Sequence, residues 1–353
     1  MKLGWSRAIA FPLLSLVAIA CMKEDPPPPV VQVPPPPPVV LPPAPPLPPT
    51  PAGLPELSVA PESAPTPEKV AWGKQLFFDP RLSKDGSASC ATCHVHEKGW
   101  TDGLALSTKV GGAVNTRHTP SLYNVGYHAT FYWDGRAPPL EKQIEAAWKG
   151  QMGADPEAVA AAIAKVPVYK ARCEQLCGKP PTAKDIVDAL ASFVRTLRSG
   201  GSAWDRYEKG DTAAVSADVL AGYAIFTKKA NCALCHAPPL YTDLMFHNVG
   251  IGADKPEPDP GRGKVTGDPK DQGAFKTPGL RSASKTAPYF HDGSEPTLEG
   301  AVRRMVAGGD KIPNLDPKLK PAKLSAKEML QLVAFVQALD SSESFEAPEL
   351  PRP

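Results

Sequence analysis

The stretch "SCATCHVHE", residues 89–97, contains two cysteines separated by two residues and followed at once by a histidine. Cysteines at this spacing lie about one helical turn apart, so both thiols reach the same side of a short helix. The adjacent histidine offers a nitrogen to a metal on that side. This pattern is typical of a c-type haem attachment site, in which Cys90 and Cys93 bind the porphyrin and His94 is the proximal iron ligand.

The same pattern returns 142 residues later as "CALCH", residues 232–236. It predicts a second covalent haem c held by Cys232 and Cys235, with His236 as its proximal ligand. A zinc site built from the four cysteines is the main metal alternative, but it does not require a histidine directly after each pair. A thioredoxin-like redox pair is also disfavoured, because it does not require a histidine after the second cysteine. In addition, no strand–helix–strand pattern surrounds either motif.

Two further cysteines, Cys173 and Cys177, lie in "ARCEQLCGKP", just before Gly178, where a helix should end. We expect a structural role, consistent with a compartment in which disulfides persist. A bridge between cysteines one helical turn apart requires the helix to be broken there.

Composition narrows the classes of function. The 353 residues carry a formal net charge of +2, and 42% are hydrophobic, which is enough for one or two ordinary cores. Lysine and arginine form no long run, so the sequence gives no support for a nucleic-acid partner.

The N-terminal segment indicates export. Residues 1–21 combine Lys2 and Arg7 with an apolar run that is shorter than a membrane span, so they predict a secretory signal. Cys21 follows small residues as in a lipobox, which predicts a lipid tether and a periplasmic location. Residues 22–67 form a linker rich in proline, where 20 of the 44 prolines fall between Pro26 and Pro67. We expect this linker to be disordered, with polyproline II character.

The remaining chain predicts an all-α protein of two similar halves. Apolar residues recur at three- and four-residue spacing in "TPEKVAWGKQLFF", "DPEAVAAAIAKV", "TAKDIVDALASFVRTLRS", "SADVLAGYAIFTKK" and "SAKEMLQLVAFVQALDS", with Asp155 and Thr182 as helix caps. The Gly- and Pro-rich stretch 250–276 is expected to be a loop. The predicted boundaries are residues 68–205 and 206–342 for two haem domains, followed by a tail at residues 343–353.

Three stretches carry a family resemblance: "GKQLFFDPRLS" before the first motif, "FYWDGRAPPLEKQ" after it, and "TAPYFHDG" after the second. They resemble the bacterial di-haem cytochrome c peroxidases, a family that also contains MauG-like enzymes. The resemblance covers roughly residues 68–340. It implies two cytochrome c-like domains, an N-terminal haem where hydrogen peroxide reacts, and a C-terminal haem that accepts electrons from a small donor such as a c-type cytochrome or cupredoxin.

The resemblance also implies roles for residues of the second half. Counting fourteen residues from His291, which it places among the cofactor-binding residues, reaches Met305 as the distal ligand of the C-terminal haem. A thioether ligand stabilises ferrous iron and suits an electron-accepting site. MauG-like enzymes have a tyrosine at this position, so Met305 favours a peroxidase over a MauG-like enzyme. Met305 as an ordinary helical core residue is the alternative.

In the first half, the family position for a distal histidine is occupied by Val110, which predicts an open iron site opposite His94. His118 and His128 are alternative ligands further along the chain, although ordinary packing histidines are the simpler interpretation. The family's catalytic glutamate corresponds to Gln151, and Gln143 matches a second pocket residue. Glutamine can hydrogen-bond peroxide but cannot accept a proton, so Glu141 and Glu145 remain as substitutes.

Trp133 matches the family tryptophan that lies between the two haems, with a buried structural aromatic as the alternative. Three arginines are candidates for pairing with haem propionates, each with surface exposure as the alternative: Arg136, Arg262 and Arg281. The family holds a calcium ion between its domains, but this chain has His118 where an asparagine ligand is expected. Histidine is a poor ligand for calcium, so the calcium site is an open hypothesis.

The sequence therefore predicts a periplasmic di-haem cytochrome c peroxidase with two covalent haems c, and family members are often homodimers. One alternative is a MauG-like enzyme that uses peroxide to oxidise a partner protein. The other is a tethered di-haem electron carrier without enzymatic activity, which would need both irons six-coordinate.

Overall fold

The computed structural model describes residues 39–352. The predicted signal segment at residues 1–21, its Cys21 and the first part of the proline-rich linker lie outside the described residues. Within residues 39–352, no helix is both long enough and apolar enough to cross a membrane.

The first half is built from six helices: α1 (Pro67–Phe78), α2 (Cys90–Cys93), α3 (Leu140–Met152), α4 (Pro156–Ile163), α5 (Pro167–Cys177) and α6 (Ala183–Val194). The predicted caps are confirmed. Asp155 accepts hydrogen bonds from the first backbone amides of α4, and Thr182 forms a capping box with Asp185 at the start of α6. These caps satisfy amides that have no partner inside the helix.

The second half contains α7 (Ala203–Glu208), α8 (Ala217–Ala224), α9 (Gly263–Thr266), α10 (Leu298–Val306) and α11 (Ala326–Gln337), with a two-stranded antiparallel pair formed by β1 (Phe246–His247) and β2 (Phe275–Lys276). Ser216 and Ser325 cap α8 and α11. One π-helical turn, Ile225–Lys229, continues α8 towards the second haem motif. The stretch predicted as a loop, residues 250–276, holds short α9 and ends in β2. The fold is helix-rich, as predicted.

Buried apolar side chains form two clusters, one between Trp72 and Leu197 and the other between Trp204 and Leu339. Each cluster is organised by one crossing of two helices, α1 on α6 in the first and α8 on α11 in the second. Gly73 and Gly222 lie at these crossings. A Cβ atom on either would lie about 2 Å from a backbone oxygen of the opposite helix, so both crossings depend on glycine.

The proline-rich segment differs from the predicted disordered linker in its second part. Carbonyl oxygens of Pro42, Pro48 and Pro49 accept hydrogen bonds from arginines of the first half. Further along, the Gly53 carbonyl accepts from Arg281 at 2.9 Å. Proline has no amide proton but keeps its carbonyl acceptor, so an extended proline-rich strand can bind along a surface that carries guanidinium groups. In the structure, residues 42–53 therefore pack against the folded body, whereas the sequence predicted a disordered linker over residues 22–67.

Ion pairs join the two halves. Arg117, from the first half, donates from Nε and Nη2 to the two carboxylate oxygens of Asp259, at 2.7 and 2.8 Å. Its Nη1 donates to Asp134 at 2.7 Å. Bidentate pairs of this kind fix direction as well as distance, so they hold the two halves in register.

Candidate functional site

The first site is centred on His94, which directly follows α2. Its Nδ1 lies 2.8 Å from the carbonyl oxygen of Trp100. A carbonyl can only accept, so Nδ1 carries the proton and Nε2 keeps its lone pair for a metal. Burial lowers the pKa of His94, which favours the neutral ring that a metal requires.

The second site repeats this arrangement. His236 Nδ1 lies 3.0 Å from the carbonyl oxygen of Tyr241, and burial again lowers the pKa of the ring. The residue that supplies the carbonyl follows the histidine by six positions in the first site and by five in the second. Both sites thus orient one imidazole nitrogen through a backbone acceptor.

The cysteines fit covalent haem attachment. Burial raises the pKa of Cys90 to about 12 and that of Cys232 to about 11, so both are protonated thiols in the absence of a partner. Among residues 39–352, no metal-binding group unites the two motifs, which removes the zinc alternative. Two thiols with a neutral histidine beside them form the donor set that one haem c requires, and the chain contains it twice.

The end of α3 lies against the first motif. The Met152 thioether sulfur is 4.0 Å from Cys90 Sγ. Its neighbour Gln151 accepts, through the backbone carbonyl, a hydrogen bond of 2.9 Å from the amide of Val110. Val110 and Gln151, which the family resemblance predicts on the open side of the first haem, are therefore direct neighbours close to Cys90.

The side chain of Gln151 is held by a residue that sequence reasoning missed. Asn115 donates from Nδ2 to Gln151 Oε1 at 2.9 Å and also contacts Ser107 Oγ at 3.0 Å. With Oε1 occupied, the amide NH₂ of Gln151 remains as a donor to a ligand. Gln143, two turns earlier on α3, is half-buried.

The two glutamates offered as substitutes for a catalytic acid are otherwise engaged. Glu141 forms an ion pair of 2.7 Å with Arg195. Glu145 pairs with Lys142 and Lys149 on the outer face of α3, at 3.3 and 2.6 Å. Both carboxylates are engaged in ion pairs, which disfavours them as replacements for the glutamate that the family resemblance predicts at position 151.

Met305 lies on α10 and is half-buried. Leu298, Val302 and Val306 of the same helix pack into the second core. Within the described residues, the Met305 side chain is not part of that core. This disfavours the interpretation of Met305 as an ordinary core methionine.

Trp133 lies between the two halves. Its indole Nε1 donates to the backbone carbonyl of His118 at 2.8 Å, and the His118 amide donates to the carbonyl of His291 at 2.7 Å. The His291 ring stacks on Phe275 with centroids 3.6 Å apart, and burial lowers its pKa to about 4. These contacts connect the segment that follows the first haem motif, which contains His118 and Trp133, with the segment that follows the second haem motif, which contains His291.

Two of the other histidines are explained by local contacts. The His118 ring donates from Nδ1 to the carbonyl of Leu104 at 2.7 Å, and burial lowers its pKa. This ring belongs to the residue at which the family resemblance expects an asparagine ligand for calcium, and imidazole is a poor calcium ligand. His247, for which the sequence showed no motif, lies between Asp243 and Asp316 at 2.9 and 2.6 Å.

The three arginines differ in what they can bind. Arg281 is committed to a buried ion pair with Asp205 at 2.7 Å and to the carbonyls of Pro239 and Gly53. Four of its five N–H donors are engaged in these contacts, so pairing of Arg281 with a propionate stays a prediction that these contacts disfavour. Arg262 donates to the carbonyls of Asp134 and Gly135. Arg136 is partly exposed and stacks on Tyr132.

The helical fold and its two Cys-x-x-Cys-His sites define the class of protein: a c-type cytochrome with two haem attachment sites. Residues 67–213 match the family model described as "Di-haem cytochrome c peroxidase". The chain is 40% identical over 305 residues to the methylamine utilization protein MauG of Methylorubrum extorquens, covering 82% of this chain and 86% of that protein. The chain therefore belongs to the family of di-haem cytochrome c peroxidases and MauG-like proteins, whose members carry two haems c.

Other relatives include both types of protein. The chain is 35% identical over 333 residues to the cytochrome-c peroxidase IdrP1 of Denitromonas iodatirespirans, covering 84% of this chain and 89% of that protein. Among solved structures, a MauG-like protein associated with microbial copper homeostasis superimposes with a TM-score of 0.77 at 30% identity, covering 82% of this chain and 94% of that one. The comparisons thus establish the family but do not separate its two activities.

Proposed function

We propose that the protein is a di-haem cytochrome c peroxidase that reduces hydrogen peroxide to two molecules of water, using two electrons from a small donor protein and two protons. We assign the two apolar cores to the two cytochrome c-like domains predicted at residues 68–205 and 206–342, with α7 (Ala203–Glu208) and its Trp204 belonging to the second core. A bound haem c supplies an iron that can take up and release electrons. The surrounding residues orient the ligands, bind peroxide and conduct electrons.

The observation that carries this proposal is the contact between Val110 and Gln151 beside the first attachment site. Valine cannot bind iron, which favours an open site opposite His94. The Gln151 amide, fixed by Asn115, supplies a hydrogen-bond donor for peroxide at that side. Gln143 is a second polar group on the same helix.

The second half supplies the electron entry. His236 and Met305 are the ligands we propose for the C-terminal haem, because the thioether lies on α10 outside the second core. Trp133 is the proposed relay towards the first haem, since its indole is hydrogen-bonded into the backbone contact that joins the two halves. The electron donor is a c-type cytochrome or a cupredoxin.

The location and accessory features belong to the same proposal. Residues 1–21 act as an export signal, and Cys21 carries a lipid tether on the periplasmic side of a membrane. Two chains associate as a homodimer. We do not include calcium, because the His118 ring is already hydrogen-bonded at the position where the family has a ligand.

The test uses the purified haem-loaded protein. We expect a high-spin ferric signal in its electron spin resonance spectrum, and peroxide-dependent oxidation of a reduced c-type cytochrome. Replacing Met305→Leu should remove the low-spin signal of the second haem and abolish turnover with the donor. A spectrum without any high-spin signal would show two six-coordinate irons and favour the electron carrier instead.

A MauG-like activity is the second candidate, because Gln151 provides no carboxylate to move a proton and both glutamates nearby are paired. Such an enzyme would use peroxide to oxidise a side chain of a partner protein. It predicts slow turnover with reduced cytochrome c and a long-lived oxidised state after one equivalent of peroxide. Rapid multiple turnover with the small donor would exclude it.

A further inference from the structure

The last turn of α5 contains a thiol pair that the proposed peroxidase chemistry does not use. Cys173 is fully buried and Cys177 is exposed, so the pair opens to solvent on one side. Gly178 ends the helix in the left-handed region, with φ 68°, and its amide donates to the carbonyl of Glu174 at 2.9 Å. The four cysteines of the haem motifs are consumed by haem attachment. Cys173 and Cys177 are then the only free thiols among residues 39–352.

A carboxylate completes the group. Asp185, in the first turn of α6, lies so that its oxygen and the two sulfur atoms are all within 4.8 Å of one another. Its position is fixed by the capping box: Oδ2 accepts from the amide and hydroxyl of Thr182, at 3.0 and 2.6 Å, and from Lys179 at 3.3 Å. Within the described residues no N–H or O–H group donates to Oδ1, so this carboxylate oxygen is available to a ligand.

The geometry disfavours the disulfide that the sequence suggested. α5 runs without interruption to Cys177, so this part of the chain does not have the break in the helix that a disulfide requires. In a regular helix, Cβ atoms four residues apart are separated by about 5–6 Å. A disulfide needs about 3.5–4.5 Å. Bridging the two sulfurs directly would therefore require the last turn of α5 to unwind.

A metal ion can join two sulfur atoms that are further apart than the sulfurs of a disulfide. Zinc–thiolate bonds are about 2.3 Å long, so two thiolates on one ion lie roughly 4 Å apart. This separation suits two cysteines on adjacent turns of an intact helix. We propose that Cys173, Cys177 and Asp185 form a binding site for one thiophilic d¹⁰ metal ion, Zn²⁺ or Cu⁺, separate from the haem sites.

The donor set distinguishes the two ions. Soft thiolates bind both, whereas a carboxylate oxygen suits Zn²⁺ far better than Cu⁺. If Zn²⁺ is the ion, Asp185 is a ligand and a water molecule completes the tetrahedron. If Cu⁺ is the ion, the two thiolates bind it without Asp185.

The test is metal content of the haem-loaded protein after anaerobic reduction and dialysis against Zn²⁺ or Cu⁺, measured by mass spectrometry. We expect one equivalent of metal beyond haem iron. The exposed Cys177→Ser variant and the double Cys173→Ser/Cys177→Ser variant should lose it. Asp185→Asn should weaken Zn²⁺ binding at least tenfold and leave Cu⁺ binding unchanged. Glu174→Gln, on the same turn but outside the group, is the matched control and should bind like the parent.

Folding of each variant is checked by its haem absorbance, so loss of metal is separated from loss of structure. Equal metal content in the parent and in Cys177→Ser would overturn the proposal. So would a mass for the protein as isolated that is lower by two hydrogen atoms and is restored by reduction, since this would demonstrate a disulfide.

Discussion

At the scale of single residues, the first site depends on how Gln151 and its neighbours are held. Asn115 fixes the amide from one side, and the backbone of Val110 fixes the segment from the other. The family resemblance predicted both Val110 and Gln151, because their positions follow from counting along the stretches that resemble the family. It could not identify Asn115, whose contact with Gln151 spans 36 residues and has no local pattern.

Gln151→Glu should increase peroxidase activity. A carboxylate at this position can accept and return a proton, a contribution worth about 10²-fold or more in rate, while Asn115 can still donate to it. We expect kcat/KM for peroxide to rise about 100-fold, with a new acidic limb in its pH profile. Gln151→Leu is the control and should lower activity. An unchanged pH profile in Gln151→Glu would mean that residue 151 does not reach peroxide.

His291 should make stability dependent on pH. Burial lowers its pKa from 6.5 to about 4, so the folded protein favours the neutral ring while the unfolded chain binds the proton first. This stabilising contribution is complete above pH 6.5. It is lost as pH falls from 6.5 towards 4, by at most about 3 kcal/mol.

The measurement is the free energy of unfolding of the haem-loaded protein between pH 7 and pH 4, compared with His291→Gln. The variant loses the stacking on Phe275 at every pH, which lowers its free energy of unfolding by the same amount throughout. Only the loss of the titrating imidazole makes the free energy of unfolding less dependent on pH. Parallel curves for the two proteins would contradict a depressed pKa at His291.

At the scale of elements, each half contains a pair of helices that cross closely at one glycine. Gly73 lets α1 approach α6, and Gly222 lets α8 approach α11. Gly73→Ala and Gly222→Ala should each destabilise the protein by about 1–3 kcal/mol, because the obstacle is backbone rather than a movable side chain. Gly150→Ala, on α3 with open space around it, is the matched control and should stabilise by up to about 1 kcal/mol.

Chemical denaturation of the three variants under identical conditions separates the effects. If all three variants changed the free energy of unfolding by the same amount, that change would reflect helix propensity alone. The close helix crossings at Gly73 and Gly222 would then not exist in solution. Opposite signs for the Gly73 and Gly150 variants are the specific signature of steric contact.

Helix positions were predictable from the sequence where caps and apolar spacing agree. Asp155 and Thr182 cap the helices as expected, because capping is decided within a few residues. The crossings were not predicted, since a single glycine in a helix pattern does not reveal its partner. The π-helical turn Ile225–Lys229 was also missed, because its apolar pattern is the same as that of an α-helix.

At the scale of the whole molecule, two extensions hold the body together. The proline-rich strand binds arginines of both halves, including Arg198 and Arg281. The C-terminal tail returns from the second core to the first half, where the carbonyl of Pro351 accepts from Arg81 at 2.9 Å. Composition predicted an extended strand and a tail but could not predict docking, which depends on donors far away in the sequence.

Phe345 is the anchor of the C-terminal tail. Its ring stacks on Phe78 with centroids 5.7 Å apart and meets Trp100 edge-on at 4.8 Å, while Lys74 lies over it at 4.6 Å. Trp100 supplies the carbonyl that orients His94. The tail of the second half therefore supports the wall of the first haem site.

Phe345→Ala should destabilise the protein by about 2 kcal/mol, because it removes several aromatic contacts from a partly buried position. The lost support for Trp100 should also let the His94 ring reorient, which predicts a shift in the absorbance of the first haem without a change in the second. Leu350→Ala, on the exposed end of the same tail, is the control and should leave both unchanged. If Phe345→Ala matched this control in unfolding free energy and in haem absorbance, the tail would not be docked in solution, and the first haem site would be complete without it.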